Sequence, residues 1–164
     1  MNSTVKVCFV CLGNICRSPL AQGVFESLVK ERGLQDRIII SSAGVSGWHV
    51  GNPPDARMQQ TARDHGIHLN SRGRQFQSSD FEKMDLVLAM DHSNLSALKQ
   101  MRPEPELQDK LFLFRSFDPQ HNNDLDVPDP YYGGDKGFET VYQIVERTCP
   151  KVLDHLKMML VKKA

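Results

Sequence analysis

The sequence predicts an α/β fold of three layers: a four-stranded parallel sheet flanked by helices on both faces. Three observations predict it. Four short apolar runs are each closed by turn residues. Amphipathic helical stretches lie between them, the pattern of βαβ units feeding a parallel sheet. Of the 164 residues, 40% are hydrophobic and 24% charged, which suits one hydrophobic core, so residues 1–164 are expected to form a single domain.

Each element has its own reason. Val5–Cys11, VKVCFVC, is apolar, β-branched and aromatic, and reads as a buried strand. Gly13 and Asn14 break it. A helix should open near Ser18 and Pro19, with Ser18 as N-cap and Pro19 at the first helical position. Leu20, Ala21, Val24, Phe25, Leu28 and Val29 give it an apolar face, and Gly33 ends it. Residues 38–42 form a second strand, followed over 44–54 by a Gly- and Pro-rich loop that carries Trp48 and His49. A helix over 54–64 stops at Gly66. The run DLVLAM over 85–90 is a third buried strand, and Asp91 and Ser93 are candidate caps for a helix over 94–101. Residues 110–114 form the fourth strand. A polar loop with three prolines spans 116–136, a length more often functional than not in a compact domain. The last helix starts near Gly137. Its core stripe runs through Phe138, Val141, Tyr142, Val145, Cys149, Val152, Leu153, Leu156 and Leu160.

Charge and hydropathy remove several classes of function. Twenty Lys and Arg balance twenty Asp and Glu, so the chain is neither a strongly basic nucleic-acid binder nor a polybasic membrane binder. No run approaches the roughly 20 apolar residues of a membrane span. The N-terminal stretch lacks the basic head and apolar core of a signal peptide. Cys8, Cys11 and Cys16 crowd together while Cys149 stands far away, a poor disulfide framework. A reducing, cytoplasmic location is expected. Cys8 in a strand and Cys149 on the apolar stripe of the last helix are expected to pack in the core.

Chemistry gathers at the carboxyl end of the first strand, where open parallel sheets bind ligands. Residues 11–19 read CLGNICRSP. Five residues separate Cys11 from Arg17, enough backbone to curl into a cup between a strand and a helix N-terminus. Gly13 and Asn14 tolerate the positive φ that such a cup requires. Inward N–H groups and the helix dipole make an anion site. Arg17 can grip two oxygens of a tetrahedral dianion with its fork, and the same field favours ionisation of the Cys11 thiol. A nucleophile then sits at the bottom of a phosphate-shaped cup. Cys16 lies in the same cup, near enough for a disulfide that would spare Cys11 from overoxidation.

A thiolate that attacks a phosphate monoester needs a proton donor for the leaving oxygen. The long loop offers Asp124, Asp126, Asp129 and Asp135. Asp129 is the choice: Pro128 and Pro130 restrict its backbone, and Tyr131 and Tyr132 beside it offer aromatic walls for an aryl group.

CLGNICRSP and DPYYG together resemble the low-molecular-weight protein tyrosine phosphatases. GNPPD at 51–55, MDHSNL at 90–95, SFDPQ at 116–120 and FETVYQ at 138–143 extend the likeness through nearly the whole chain. It leans to the eukaryotic-type members. The resemblance implies a four-stranded parallel sheet flanked by helices, and a phosphatase acting on phosphotyrosine in proteins and on small aryl phosphates. Cys11 would be the nucleophile, Arg17 the phosphate-binding arginine, and Asp129 the general acid and later base. Leu12, Gly13, Asn14, Ile15, Cys16 and Ser18 would line the phosphate site. Asn14, Ser18, Ser42 and Asp91 would form a polar network that holds the cup open. Leu12, Ile15, Trp48, His49, Tyr131 and Tyr132 would contact substrate, and Cys16 would take part in reversible oxidation. No metal or cofactor is implied. Phosphotyrosine proteins are the implied partners and oxyanions such as phosphate or vanadate the implied inhibitors. No nucleic-acid or membrane partner is expected, and a monomer or weak self-association is. One departure from the family pattern bears on the network. Where many relatives place a histidine, this chain has Ser71, and His65 and His68 near Gly66 are read as solvated turn residues.

Three other readings share the loop. An arsenate reductase of the same fold would need further cysteines after the third strand, and residues 82–102 hold none. A protein arginine phosphatase would carry a threonine where this chain has Ile15, whose apolar side chain suits an aryl face. A non-catalytic phosphotyrosine-binding module would need neither Cys11 nor Asp129.

Overall fold

The computed structural model describes residues 3–134 and 136–164. Asp135, one of the loop acids, lies outside them. Four strands, β1 (Val5–Cys11), β2 (Ile38–Gly44), β3 (Leu86–Ala89) and β4 (Leu111–Leu113), pair in parallel in the order β2-β1-β3-β4. Each predicted strand is present. β2 runs two residues longer than expected, and β3 and β4 are each one residue shorter at both ends. The helices are α1 (Arg17–Glu31), α2 (Ala56–Asp64), α3 (Asp80–Lys83), α4 (His92–Met101), α5 (Pro105–Gln108) and α6 (Lys136–Lys163).

Alternation along β1 sends Val5, Val7, Phe9 and Cys11 to one core and Cys8 and Val10 to the other. α1, α2 and α6 cover the first with Leu20, Phe25, Met58 and the α6 stripe, every expected residue of which is buried. Phe9 anchors it, edge-on to Phe25 and Phe114 at 5.6 and 5.8 Å. Phe76, Phe81 of α3 and Leu98 of α4 cover the second. The layers are therefore those the sequence predicts. Cys8 and Cys149 are core residues, and burial pushes the Cys8 thiol up to about 11 and raises that of Cys149 as well. The helices missed in the sequence, α3 and α5, have four residues each, too few for an apolar period to show. Among the described residues no helix is long and apolar enough to cross a membrane.

Three helix starts differ from expectation. α1 opens at Arg17 after Cys16, and no side chain caps it. Ser18 is thus the second residue of the helix and Pro19 the third; the Ser18 hydroxyl is used elsewhere. α2 opens after Asp55, whose carboxylate accepts from the Arg57 amide at 2.8 Å. α4 opens after Asp91, which accepts from the Asn94 amide at 2.8 Å, so Ser93 lies inside the helix and is not its cap.

The loop after β4 begins with a 3₁₀ turn, Phe114–Phe117, and is then held from below. The fully buried Asp118 carboxylate accepts from Arg115 Nε at 2.9 Å, from Arg147 Nε and Nη2 at 2.8 and 3.0 Å, and from the Gln120 amide at 2.8 Å. Arg115 Nη1 donates to the Asp126 carbonyl at 2.8 Å, and the Val127 amide donates to the Met90 carbonyl at 2.7 Å. These bonds carry the segment that precedes Asp129 across the carboxyl end of β3. Burial works to raise the Asp118 pKa, but the bonds from Arg147, the Gln120 amide and Arg115 outweigh it and hold the carboxyl at about 2. Its folded pKa lies below its unfolded one. The stabilisation it supplies is therefore fully present above about pH 4 and is lost as pH falls through the folded value. Asp118→Asn leaves two guanidinium groups under-compensated and is expected to lower stability by about 3 kcal/mol, read as the urea midpoint at neutral pH. An unchanged midpoint would contradict this assignment.

Candidate active site

β1 and β3 are the neighbouring strands whose chains go on to opposite sides of the sheet, β1 to β2 and β3 to β4. Ligands bind at such a switch point, beyond the carboxyl ends of the strands. Cys11 closes β1, and Met90 and Asp91 follow β3.

Residues 12–16 curl between β1 and α1. Asn14 takes φ 58° as expected, but Gly13 does not adopt a positive φ. A Cβ at Gly13 would stand in tight contact, 3.0 Å from Cδ2 of His49. Gly44 ends β2 against the same loop, where a Cβ would lie 2.9 Å from the Leu12 oxygen and 3.1 Å from the Asn14 nitrogen. The carbonyls of Leu12 and Ile15 turn outward and accept from the amides of Ser46 and Asp55 at 2.9 and 2.8 Å. Among the described residues, the amides of residues 13–17 donate to no protein acceptor. Occupied carbonyls and unpartnered amides at a helix N-terminus make a nest for an anion.

A buried polar network sets this shape. Asn14 is 2% exposed. Its Nδ2 donates to Ser18 Oγ at 2.8 Å and Ser42 Oγ at 3.0 Å, and its Oδ1 accepts from the Arg74 amide at 3.0 Å. Ser42 donates to Gln22 Oε1 at 2.6 Å. Ser18 Oγ also donates to the Ala43 carbonyl at 3.4 Å and lies 3.0 Å from Cys11 Sγ, a hydrogen bond in which either atom can donate. Asn14, Ser18 and Ser42 are thus joined by hydrogen bonds, and Asp91, the fourth residue of the implied network, bonds Arg17 instead. Gln22 and the Arg74 amide join the first three without any mark in the sequence. Among the described residues no hydrogen bond links the Ser71 hydroxyl to this network. His65 is exposed but does not stand free: it meets Glu139 at 2.9 Å and stacks on Tyr142 at 3.7 Å, tying α2 to α6.

Arg17 is also 2% exposed. Its Nη1 donates to Asp91 Oδ2 at 2.7 Å and to the Val127 carbonyl at 3.0 Å. Asp91 therefore caps α4 with one oxygen and holds Arg17 with the other. Nη2 stands 3.5 Å from Asp129 Oδ2. Burial works against the charge, but Cys11, Asp91 and Asp129 outweigh it and hold the guanidinium above its ordinary pKa. Among the described residues the Nε–Nη2 edge makes no hydrogen bond, which leaves a fork for two oxygens of an anion.

Asp129 arrives on the braced loop. Its Oδ1 accepts from the Tyr131 amide at 3.0 Å, an Asx turn that orients the carboxyl. Cys11, Arg17 and Asp129 line one crevice with Leu12, Gly13, Ile15 and Cys16 of the loop. Trp48, His49, Tyr131 and Tyr132 complete it. Trp48 and Tyr132, 76% and 81% exposed, form an outer rim, while Tyr131 at 39% is set deeper. Cys11 and Cys16 are both free thiols. Burial, with Asp55, Cys11 and Asp129 nearby, pushes the Cys16 pKa up and keeps it neutral. Among the described residues no cluster of three or more His, Cys, Asp or Glu is placed to hold a metal ion.

One residue near the crevice falls outside the sequence reading. Arg57, in the first turn of α2, pairs with both oxygens of Asp55 at 3.1 and 2.9 Å. Burial works to raise the Asp55 pKa, but these bonds and the Arg57 amide outweigh it and lower it. The Asp-x-Arg spacing at a helix start is the signal that was available for this pair.

Comparison with known proteins fits this geometry. A family model described as low molecular weight phosphotyrosine protein phosphatase matches residues 6–162. A low molecular weight protein-tyrosine-phosphatase of Streptomyces coelicolor is 48% identical over 144 residues, 87% of this chain and 88% of that one. A human low molecular weight phosphotyrosine protein phosphatase is 43% identical over 153 residues, 93% of this chain and 96% of that one. A solved protein tyrosine phosphatase from Entamoeba histolytica, with Hepes in the active site, has a TM-score of 0.90 at 37% identity, covering 94% and 98% of the two chains. A solved Drosophila arginine phosphatase has a TM-score of 0.85 at 38% identity, covering 93% and 98%. On a match that spans the sheet, the cup and the acid loop alike, the chain belongs to the low molecular weight phosphotyrosine protein phosphatase family.

Proposed function

We propose that the chain is a cysteine-dependent phosphatase that hydrolyses phosphotyrosine in proteins, and small aryl phosphates, through a cysteinyl-phosphate. One observation carries this reading. Cys11 and Arg17 of the cup and Asp129 of the long loop meet in one crevice above unpartnered amides. The phosphoryl oxygens sit among the amides of the loop and on the Nε–Nη2 edge of Arg17. The Cys11 thiolate, with the Ser18 hydroxyl 3.0 Å away, attacks phosphorus in line. The S–P bond forms as the P–O bond to the phenol breaks, and protonated Asp129 gives its proton to the departing oxygen. Asp129, now a carboxylate, then takes a proton from water. The water oxygen attacks phosphorus, the S–P electron pair returns to Cys11, and phosphate leaves. Fixed donors aimed at the phosphoryl oxygens supply most of the rate, and positioned proton transfer adds about 10²–10⁴-fold.

The crevice favours a flat aryl group. Ile15 is half-buried there, and Tyr131 and Tyr132 line the same crevice. The Hepes in the Entamoeba relative carries a sulfonate, which supports an oxyanion cup. The Drosophila relative called an arginine phosphatase favours a second reading, phosphoarginine; the apolar Ile15 argues for the aryl ester. We propose the cytoplasm as its location and a monomer or weak self-association as its state.

Cys16 acts as a guard in this reading. A peroxide oxidises the Cys11 thiolate to the sulfenic acid and is reduced to hydroxide. Cys16 gives up its proton as its sulfur attacks the sulfenic sulfur, the S–O bond breaks, and the hydroxyl takes that proton and leaves as water. The disulfide reopens with an external thiol.

Two experiments test these roles. A series of aryl phosphates, with phosphoarginine beside them, is assayed in the presence of chelator. Aryl phosphates should turn over faster than phosphoarginine. Asp129→Ala should slow esters of poor leaving groups by about 10²–10³-fold and activated esters far less; equal slowing throughout would remove Asp129 as the acid. After a pulse of hydrogen peroxide, the wild type should regain activity in dithiothreitol and Cys16→Ser should not. Equal recovery would remove Cys16 as the guard.

A further inference from the structure

We propose that Arg57 is a positioning residue for the general acid, fastening the Asp129 loop to the phosphate cup. The proposal rests on the reading of Asp129 given above. Arg57 does not line the crevice. It reaches three elements from the first turn of α2. Nε and Nη2 take the two oxygens of Asp55 in a fork-to-fork pair. Nη2 also donates to the Tyr131 carbonyl at 3.3 Å. The guanidinium lies 5.5 Å from the centroid of the Tyr131 ring and 4.7 Å from that of Phe138, at the start of α6.

One end of this bridge is one hydrogen bond from the backbone of the cup, and the other is one from Asp129. The Asp55 amide donates to the Ile15 carbonyl of the cup at 2.8 Å. The Tyr131 amide donates to Asp129 Oδ1 at 3.0 Å. The path therefore runs from cup to Asp55, Arg57, Tyr131 and Asp129. Few other ties compete with it. Among the described residues, the backbone bond within 128–134 is local, from the Gly133 amide to the Pro130 carbonyl. Among the described residues, the other polar tie of this segment to a distant element is Asp129 to Arg17 at 3.5 Å, and that contact must yield when an anion occupies the Arg17 fork. Arg57 then remains to hold the acid in place.

The weight of Arg57 lies in geometry more than in stability. Its side chain is 44% exposed, and pairs open to solvent contribute little to folding. A fork locked on a carboxylate between two rings nonetheless fixes the Tyr131 carbonyl, and displacing a catalytic group by about 1 Å can cost up to about 10²-fold in rate.

The test is a double-mutant cycle of Arg57→Ala and Asp129→Ala across aryl phosphates of differing leaving groups, with vanadate inhibition and the urea midpoint as controls. Arg57→Ala should lower kcat/KM for the poorest leaving group about 10-fold and for activated esters less than about 3-fold. Vanadate affinity should stay within about 2-fold, because the cup is intact. In the Asp129→Ala background, Arg57→Ala should add less than about 2-fold for any ester. An equal loss for all esters, the same loss in both backgrounds, weakened vanadate binding, or no loss would each overturn the positioning role alone. If Asp129→Ala by itself slows all esters equally, the acid assignment falls first and the positioning role with it.

Discussion

A guanidinium sealed from water needs its charge answered by the protein, and in this chain the answer lays out the site. Arg17 is 2% exposed. Leaving such a charge unpaired costs several kcal/mol. Asp91 at the end of β3, the Val127 carbonyl and Asp129 on the long loop all converge on it. The sheet order sets β3 beside β1, so the Asp91 carboxylate meets the first residue of α1. The Asp118 cluster carries residues 126 and 127 to the same place. Parts of the chain more than a hundred residues apart are thereby assembled around one positive charge.

That arrangement separates what is fixed from what is accessible. The floor of the crevice rests on buried hydrogen bonds: Asn14 to Ser18 and Ser42, Ser42 to Gln22, and loop carbonyls to distant amides. With the carbonyls occupied elsewhere, the amides are left for a ligand, and no reorganisation is needed when charge develops on it. The rim is the opposite. Trp48 and Tyr132 are mostly in solvent, where they can meet the surface of a protein substrate without altering the floor.

The sheet was legible because β1 and β3 are buried on both faces, which leaves nearly continuous apolar runs in the sequence. Cys11, Arg17 and Asp129 were legible because their neighbours have few alternative uses: Gly13 and Asn14 in a turn, prolines on both sides of Asp129. Other features depend on tertiary context. Ser18 reads as a helix cap by local preference, but the buried Asn14 and Cys11 claim its hydroxyl. Asp91 reads as a cap and is one, yet its second oxygen is on Arg17, a partner that neither the residue pattern nor the family resemblance named. Gln22 and Arg57 look like ordinary polar helix residues, because the groups they serve arrive from elsewhere in the chain. The Arg74 contribution was beyond any residue pattern, since it is made by a backbone amide.

In the proposed reaction the cup holds a phosphoryl group on sulfur. The most direct test is to quench turnover of a radiolabelled aryl phosphate within milliseconds and to map the label on the chain. One covalent phosphate on Cys11, absent from Cys11→Ser, is the result this chemistry requires. Steady turnover with no label on Cys11, or with the label on another residue, would contradict it.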